Sequence, residues 1–170
     1  MRTLGPKSLS TVAFFSFRII AILTLLLVIY IDFSFLTNNF RIENGRFFIK
    51  IPLLGTNIEG DYQFNIILTI SLGLLFATIF FYVISNIFEE LTKEHIFSKI
   101  VIRHLRFFTI LNLVVGPILY FMIHYPIMHK TNFGDIHNLI LHLIFGLISL
   151  FLVHIFKKGQ YVQSENDLTI

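Results

Sequence analysis

The chain has 170 residues, of which 55% are hydrophobic and 14% charged, with 21 Phe, a net charge of +3 and neither Cys nor Trp. That charged share is far below the ~25% of an average soluble domain, and the mean hydropathy of +0.79 argues against a water-soluble globular fold. Without cysteine there is no disulfide framework, zinc–thiolate site, iron–sulfur cluster or thiol relay, and the length allows one domain, residues 1–170.

Crossing the hydrocarbon layer takes roughly 20 mostly apolar helical residues, and four stretches qualify. The first, 12–35, carries Arg18 and Asp32 near its two ends. Arg2 and Lys7 precede it as they would in a secretory signal. The apolar run exceeds the ~7–15 residues of a signal core, however, and no small-x-small cleavage site follows, so a retained signal anchor is expected.

Residues 40–51 read as a β-hairpin, because Asn44-Gly45 supplies the two positive-φ residues of a type I′ turn. The register then pairs Glu43 with Arg46, Ile42 with Phe47, Arg41 with Phe48 and Phe40 with Ile49. This gathers Phe40, Ile42, Phe47 and Ile49 on one face. A lone hairpin is marginal in water, so that face is expected to rest on the outer helix ends or on the membrane interface. Two roles stay open: a lid over the helices, or a sensor of an outer ligand or partner. Pro52, Gly55 and Gly60 predict an irregular return loop after it.

The second span, 64–88, holds no charge. Its Gly73 and Ala77 form a small-xxx-small pair that would let another helix approach, including one from a second copy in a homodimer. Residues 89–98 predict a short break, with Ser98 as N-cap of the next helix. Lys99, Arg103 and Arg106 follow at i, i+4 and i+7, on one stripe of that helix. The stripe reads either as snorkelling side chains at lipid headgroups or as a docking surface for an acidic partner. The third span, 107–125, is expected to kink at Gly116-Pro117, and it carries Asn112 at mid-depth, where an amide serves as interhelical glue.

The fourth span, 136–156, contains His137, His142 and His154. Gly159 is expected to end its helix, with Lys157 and Lys158 at the negative end of the dipole. The remainder of 157–170 reads as a short polar tail whose apolar last residues, Leu168-Thr169-Ile170, dock on a partner or on the chain's own loop. The predicted fold is therefore an all-α integral membrane protein, a four transmembrane helix bundle with a small extracytoplasmic β-hairpin. With the N-terminus cytoplasmic, all of the 13 Lys and Arg except Arg41, Arg46, Lys50 and Lys130 lie inside. This obeys the positive-inside rule and leaves both termini cytoplasmic. Topology and anionic headgroups account for the basic charge, so direct nucleic-acid binding is not expected; the lipid bilayer is the first partner.

No catalytic constellation emerges, and the protein is read as non-enzymatic. H-E-x-x-H, G-x-S-x-G, Walker-type loops and paired intramembrane carboxylates are all missing. The seven histidines raise the question of b-type haem, which wants two facing ligands at compatible depth. Only His142 lies well inside the layer, about 9 Å from the start of its helix at about 1.5 Å per residue, although His124 could approach it. Interfacial or hydrogen-bonded structural histidines are the expectation, with neither cofactor nor metal.

Glu94-His95-Ile96-Phe97-Ser98, the basic run through Arg103-His104-Leu105-Arg106, and the ending Ile155-Phe156-Lys157-Lys158-Gly159-Gln160 with Glu165-Asn166-Asp167-Leu168-Thr169-Ile170 together resemble the bacterial family catalogued as domain of unknown function 2975. The resemblance would cover essentially the whole chain. In that family a glycine often stands just before the Phe-Ser step, where this chain has Glu94-His95-Ile96. What the resemblance implies is a four-span protein of the bacterial cytoplasmic (inner) membrane without an established biochemical activity, encoded beside a small helix-turn-helix regulator. The expected function is thus a regulatory membrane partner of such a regulator, docked through Lys99, Arg103, Arg106, Glu165, Asn166, Asp167, Leu168, Thr169 and Ile170. A small transport or membrane-complex subunit with a polar path past His142 and Asn112, or a b-haem redox subunit, are the alternatives.

Overall fold

The computed structural model describes residues 8–51, 55–93, 95–132 and 136–167. In chain order they form helix α1 (Leu9–Leu36), strands β1 (Arg41–Glu43), β2 (Arg46–Lys50) and β3 (Asn57–Asp61), and helix α2 (Phe64–Leu91). There follow α3 (Lys99–Ile110), a π-helical turn (Leu111–Val115), α4 (Gly116–Met122), a second π-helical turn (Ile123–Ile127) and α5 (Ile136–Asp167). Four helices are long and apolar enough to cross a membrane, Leu9–Leu36, Phe64–Leu91, Lys99–Ile127 and Ile136–Glu165. Their apolar residues face outward in large number, with Leu23 59% and Phe151 69% exposed. A surface of that kind suits lipid as its solvent.

The helices do not surround one common core. α2 is the shared element: α1 packs along one side of it, α3 along another, and α5 lies against α3 and its π turn. Polar pairs stitch the seams between helices. Thr78 donates to Thr24 Oγ1 (3.0 Å) between α2 and α1, Ser71 donates to Asp32 Oδ1 (2.6 Å), and Thr109 donates to Ser149 Oγ (3.0 Å) between α3 and α5.

The hairpin forms in the expected register, with Glu43 opposite Arg46, Ile42 opposite Phe47 and Arg41 opposite Phe48. Asn44 (φ 52°) and Gly45 (φ 78°) take the positive φ that the I′ turn requires. Two expectations are corrected. First, the hairpin is part of a three-stranded sheet of order β1-β2-β3, in which Asn57–Asp61 pairs antiparallel with β2 where an irregular loop was expected. Gly60 is the reason the third strand fits: a Cβ there would lie 2.9 Å from Phe47 Cε1, so only glycine admits the Phe47 ring against the strand. Second, the inward face is narrower than the pairing alone implied. Phe47 and Ile49 are fully buried, at 0% exposure, in a cluster with Ile31, Leu27, Phe35, Phe40, Ile66 and Ile70, whereas Ile42 stays exposed. The Tyr30 hydroxyl donates to the Lys50 carbonyl (2.6 Å) and pins the sheet to α1.

Two further boundaries move. The kink expected at Gly116-Pro117 is a π turn ending at Val115, and a second π turn holds Pro126. Pro117 has no N–H to donate to the preceding turn, and a widened turn is one way a helix absorbs that loss. At the other end, Gly159 does not stop the fourth helix, which runs on to Asp167. A Cβ at Gly159 would lie 2.6 Å from Phe97 Cδ1. This glycine therefore serves a close approach by the α2–α3 connection rather than a helix end.

Candidate functional site

Two places gather functional side chains, and they lie at different depths. At one end of the molecule, α3 begins with Ser98 as its N-cap, whose Oγ accepts from the Val101 N–H (3.2 Å). The helix buries Val101, Ile102 and Leu105 against Val153, and Phe108 against Val83 and Leu111. Its opposite stripe, Lys99, Arg103 and Arg106, is exposed, and none of the three has an ion-pair partner among the described residues. Beside it the last turns of α5 are held by two contacts from the α2–α3 connection. The Phe97 ring packs edge-on against Phe156 (5.3 Å between centroids), and His95 Nδ1 shares a hydrogen bond with Gln163 Nε2 (2.8 Å).

The sequence-predicted docking residues therefore fall into three groups. Lys99, Arg103 and Arg106 share an exposed face, and Glu165 is exposed at the end of the α5 extension. Asn166 and Asp167 continue that helix. Leu168, Thr169 and Ile170 lie outside the described residues.

Nearby, Arg18 of α1 is held by α2. Its guanidinium donates to Asn86 Oδ1 (2.7 Å) and Glu89 Oε2 (3.1 Å) and sits 4.6 Å from the Tyr82 ring centroid. A cation on α1 is thus tied to the cytoplasm-predicted end of α2, and Glu90, almost buried, holds Lys93 at 2.6 Å.

The second place is a cavity of about 460 Å³ between α2, α4 and α5, within the ~300–1,000 Å³ range of small-molecule sites. Its walls include Gly73, Phe76, Ala77, Phe80, Gly116 and Tyr120, with His124 and His142 both on its lining. At its side, Asn112 is fully buried and makes two bonds: Nδ2 donates to the Phe108 carbonyl (2.9 Å), and Oδ1 meets His142 Nδ1 (2.9 Å). Asn112 is thus the interhelical amide expected from its depth. The π turn 111–115 and His142 lie on facing elements, and Gly116 admits the imidazole: a Cβ there would meet His142 Cγ at 3.2 Å. His142 is also packed edge-on by Phe76, 4.9 Å between centroids.

The other histidines have separate tasks. His124 bonds the Asn132 carbonyl and stacks on Tyr120, while His137 and His154 are exposed. Among the described residues no group of three or more His, Asp and Glu is placed to hold a metal. The small pair Gly73 and Ala77 turns toward the cavity, and a Cβ at Gly73 would meet no atom within 4 Å. Sequence reasoning found His142 and Asn112 by depth but missed that they bond, because a spacing of 30 residues carries no local signal.

Comparison with known proteins finds no matching family model, no matching curated protein and no matching solved structure.

Proposed function

We propose that this protein is a non-enzymatic, multi-pass regulatory component of a bacterial cytoplasmic membrane, with both termini cytoplasmic, that receives a small helix-turn-helix regulator on its inner end. The observations that carry the reading are an exposed basic stripe on α3, Lys99, Arg103 and Arg106, without an ion-pair partner among the described residues, and a helical extension of α5 contacted by Phe97 and His95. A flexible tail would lose conformational entropy on binding, whereas a preordered helix does not. Three cations on one face favour an acidic partner surface and speed its encounter.

The bilayer itself accounts for the outward apolar surface of the four helices, and the inside excess of basic residues supports the orientation. The resemblance to the uncharacterised four-span family supplies the kind of partner. Asn112 is fully buried and bonded to the Phe108 carbonyl and to His142, as a structural amide between helices would be, and this favours the docking reading.

The test is co-purification of the tagged regulator with the full-length protein, comparing wild type with the Arg103→Glu/Arg106→Glu double variant and with a chain ending at residue 159. Recovery of regulator should fall by about ten-fold or more in both, since reversed charges meet an acidic surface as like charges. Unchanged recovery in both variants, at equal membrane levels, sinks the docking proposal.

A further inference from the structure

The cavity between α2, α4 and α5 has a shape and a polar group that the docking reading does not use. Along α2 its lining runs from Thr69 to Phe81, about 18 Å at about 1.5 Å per residue. Together with a volume of about 460 Å³, that length suits a small molecule with one ring or one hydrocarbon chain. The walls near His142 are aromatic: Phe76 and Phe80 pack edge-on to the imidazole at 4.9 and 6.1 Å between centroids. Edge-to-face packing of this kind suits a further ring.

The protonation pattern of His142 follows from its neighbour. Asn112 Nδ2 donates to the Phe108 carbonyl, which fixes the amide so that Oδ1, an acceptor only, faces His142 Nδ1. Nδ1 must therefore carry the hydrogen, and in the uncharged ring Nε2 is left as an acceptor. Nε2 has no hydrogen-bond partner among the described residues, and His142 is on the cavity lining. A lone acceptor in apolar surroundings asks for a donor from whatever fills the space.

Gly73 supplies an independent observation. Glycine inside a helix costs about 1 kcal/mol against alanine, yet no atom lies within 4 Å of where its Cβ would stand. Gly73 is exposed on the stretch of α2 that lines the cavity, so a side chain there would project into open space beside it.

We infer that this cavity binds the head of a membrane-soluble hydroquinone, with one phenolic hydroxyl donating to His142 Nε2 and the ring lying between Phe76, Phe80 and Tyr120. At His142 the two redox forms differ in hydrogen bonding. A quinol carries the hydroxyl donor, whereas a quinone offers only carbonyl acceptors and faces an acceptor nitrogen. Occupancy would therefore follow the reduced fraction of the quinone pool. The inference stands whether or not a regulator docks at the other end.

The test uses full-length protein in detergent, labelled with ¹⁵N-histidine, and three probes: a decyl-substituted benzoquinol, its quinone and its bis-methyl ether. Quinol should bind at least about ten-fold more tightly than quinone or ether, the size of one hydrogen bond to an otherwise unsatisfied acceptor. It should also shift the Nε2 resonance of His142. Gly73→Leu adds a side chain on the cavity lining, its Cβ entering open space, and should weaken quinol binding at least about ten-fold, while the Nε2 resonance of the free protein stays in place. His142→Phe should erase the preference for quinol. Equal affinity for the three probes overturns the proposal, as does undiminished quinol binding to folded Gly73→Leu.

Discussion

The sheet end of the α1–α2 pair and the α2–α4–α5 cavity are built on opposite plans. At the sheet end the face turned toward α1 and α2 is packed full. Phe47 and Ile49 are buried completely, Phe35 meets Phe47 edge-on at 5.1 Å, and Gly60 gives up its side chain so that the Phe47 ring can lie flat. At the cavity the glycine does the reverse, since Gly73 leaves room that no side chain takes. The comparison teaches that the same residue type can mark a saturated contact or a reserved space, and that only the surrounding atoms tell which.

The largest effect that would break this contrast is expected at the filled end. Phe47→Ala removes a fully buried ring and should cost about 3–5 kcal/mol, read as a lowered unfolding midpoint in denaturant titration of the detergent-solubilised protein. A loss below about 1 kcal/mol would mean that the sheet is not packed as described.

An intermediate effect is expected at the seam between the two plans. Asn112→Leu deletes the bond to the Phe108 carbonyl and strips His142 Nδ1 of its acceptor. Interhelical bonds in a bilayer are worth about 0.6–2 kcal/mol, so stability should fall by about that much. The ¹⁵N spectrum of His142 should change from one tautomer to a mixture; an unaltered spectrum would show that Asn112 does not set it.

The last pair of effects sharpens the comparison most, because it opposes two identical substitutions. Gly60→Ala puts a Cβ 2.9 Å from Phe47 and should destabilise by about 1–3 kcal/mol. Gly73→Ala enters open space on a helix and should stabilise by up to about 1 kcal/mol. Thermal unfolding of the two variants side by side checks both signs. Equal shifts in the same direction would erase the distinction between the two regions.

How much was legible in advance follows the range of each interaction. The hairpin register was readable because Asn44-Gly45 restricts φ locally and pairing then follows by counting. β3 was not, because Asn57–Asp61 offers a single apolar residue, Ile58, and its place comes from β2. Ser98 announced the start of α3 by an N-cap bond three residues long. Gly159 misled, because a glycine near an expected helix end reads as a stop, whereas its partner is Phe97, more than 60 residues away. Of the candidate site, the exposed stripe Lys99, Arg103 and Arg106 was visible from helical spacing; the rigid α5 extension beside it was not.

The sequence by itself determined the four apolar spans, the basic asymmetry between their ends and the turn of the hairpin, because span length, charge count and turn chemistry are properties of short segments. Only the tertiary structure decided that α1 packs against both α2 and the sheet, that β3 completes the sheet, and that Asn112 and His142 meet beside an open cavity. Those outcomes depend on which side chains face each other across distant helices, and a pattern of 3.6 residues places a residue on a face without naming what that face will touch.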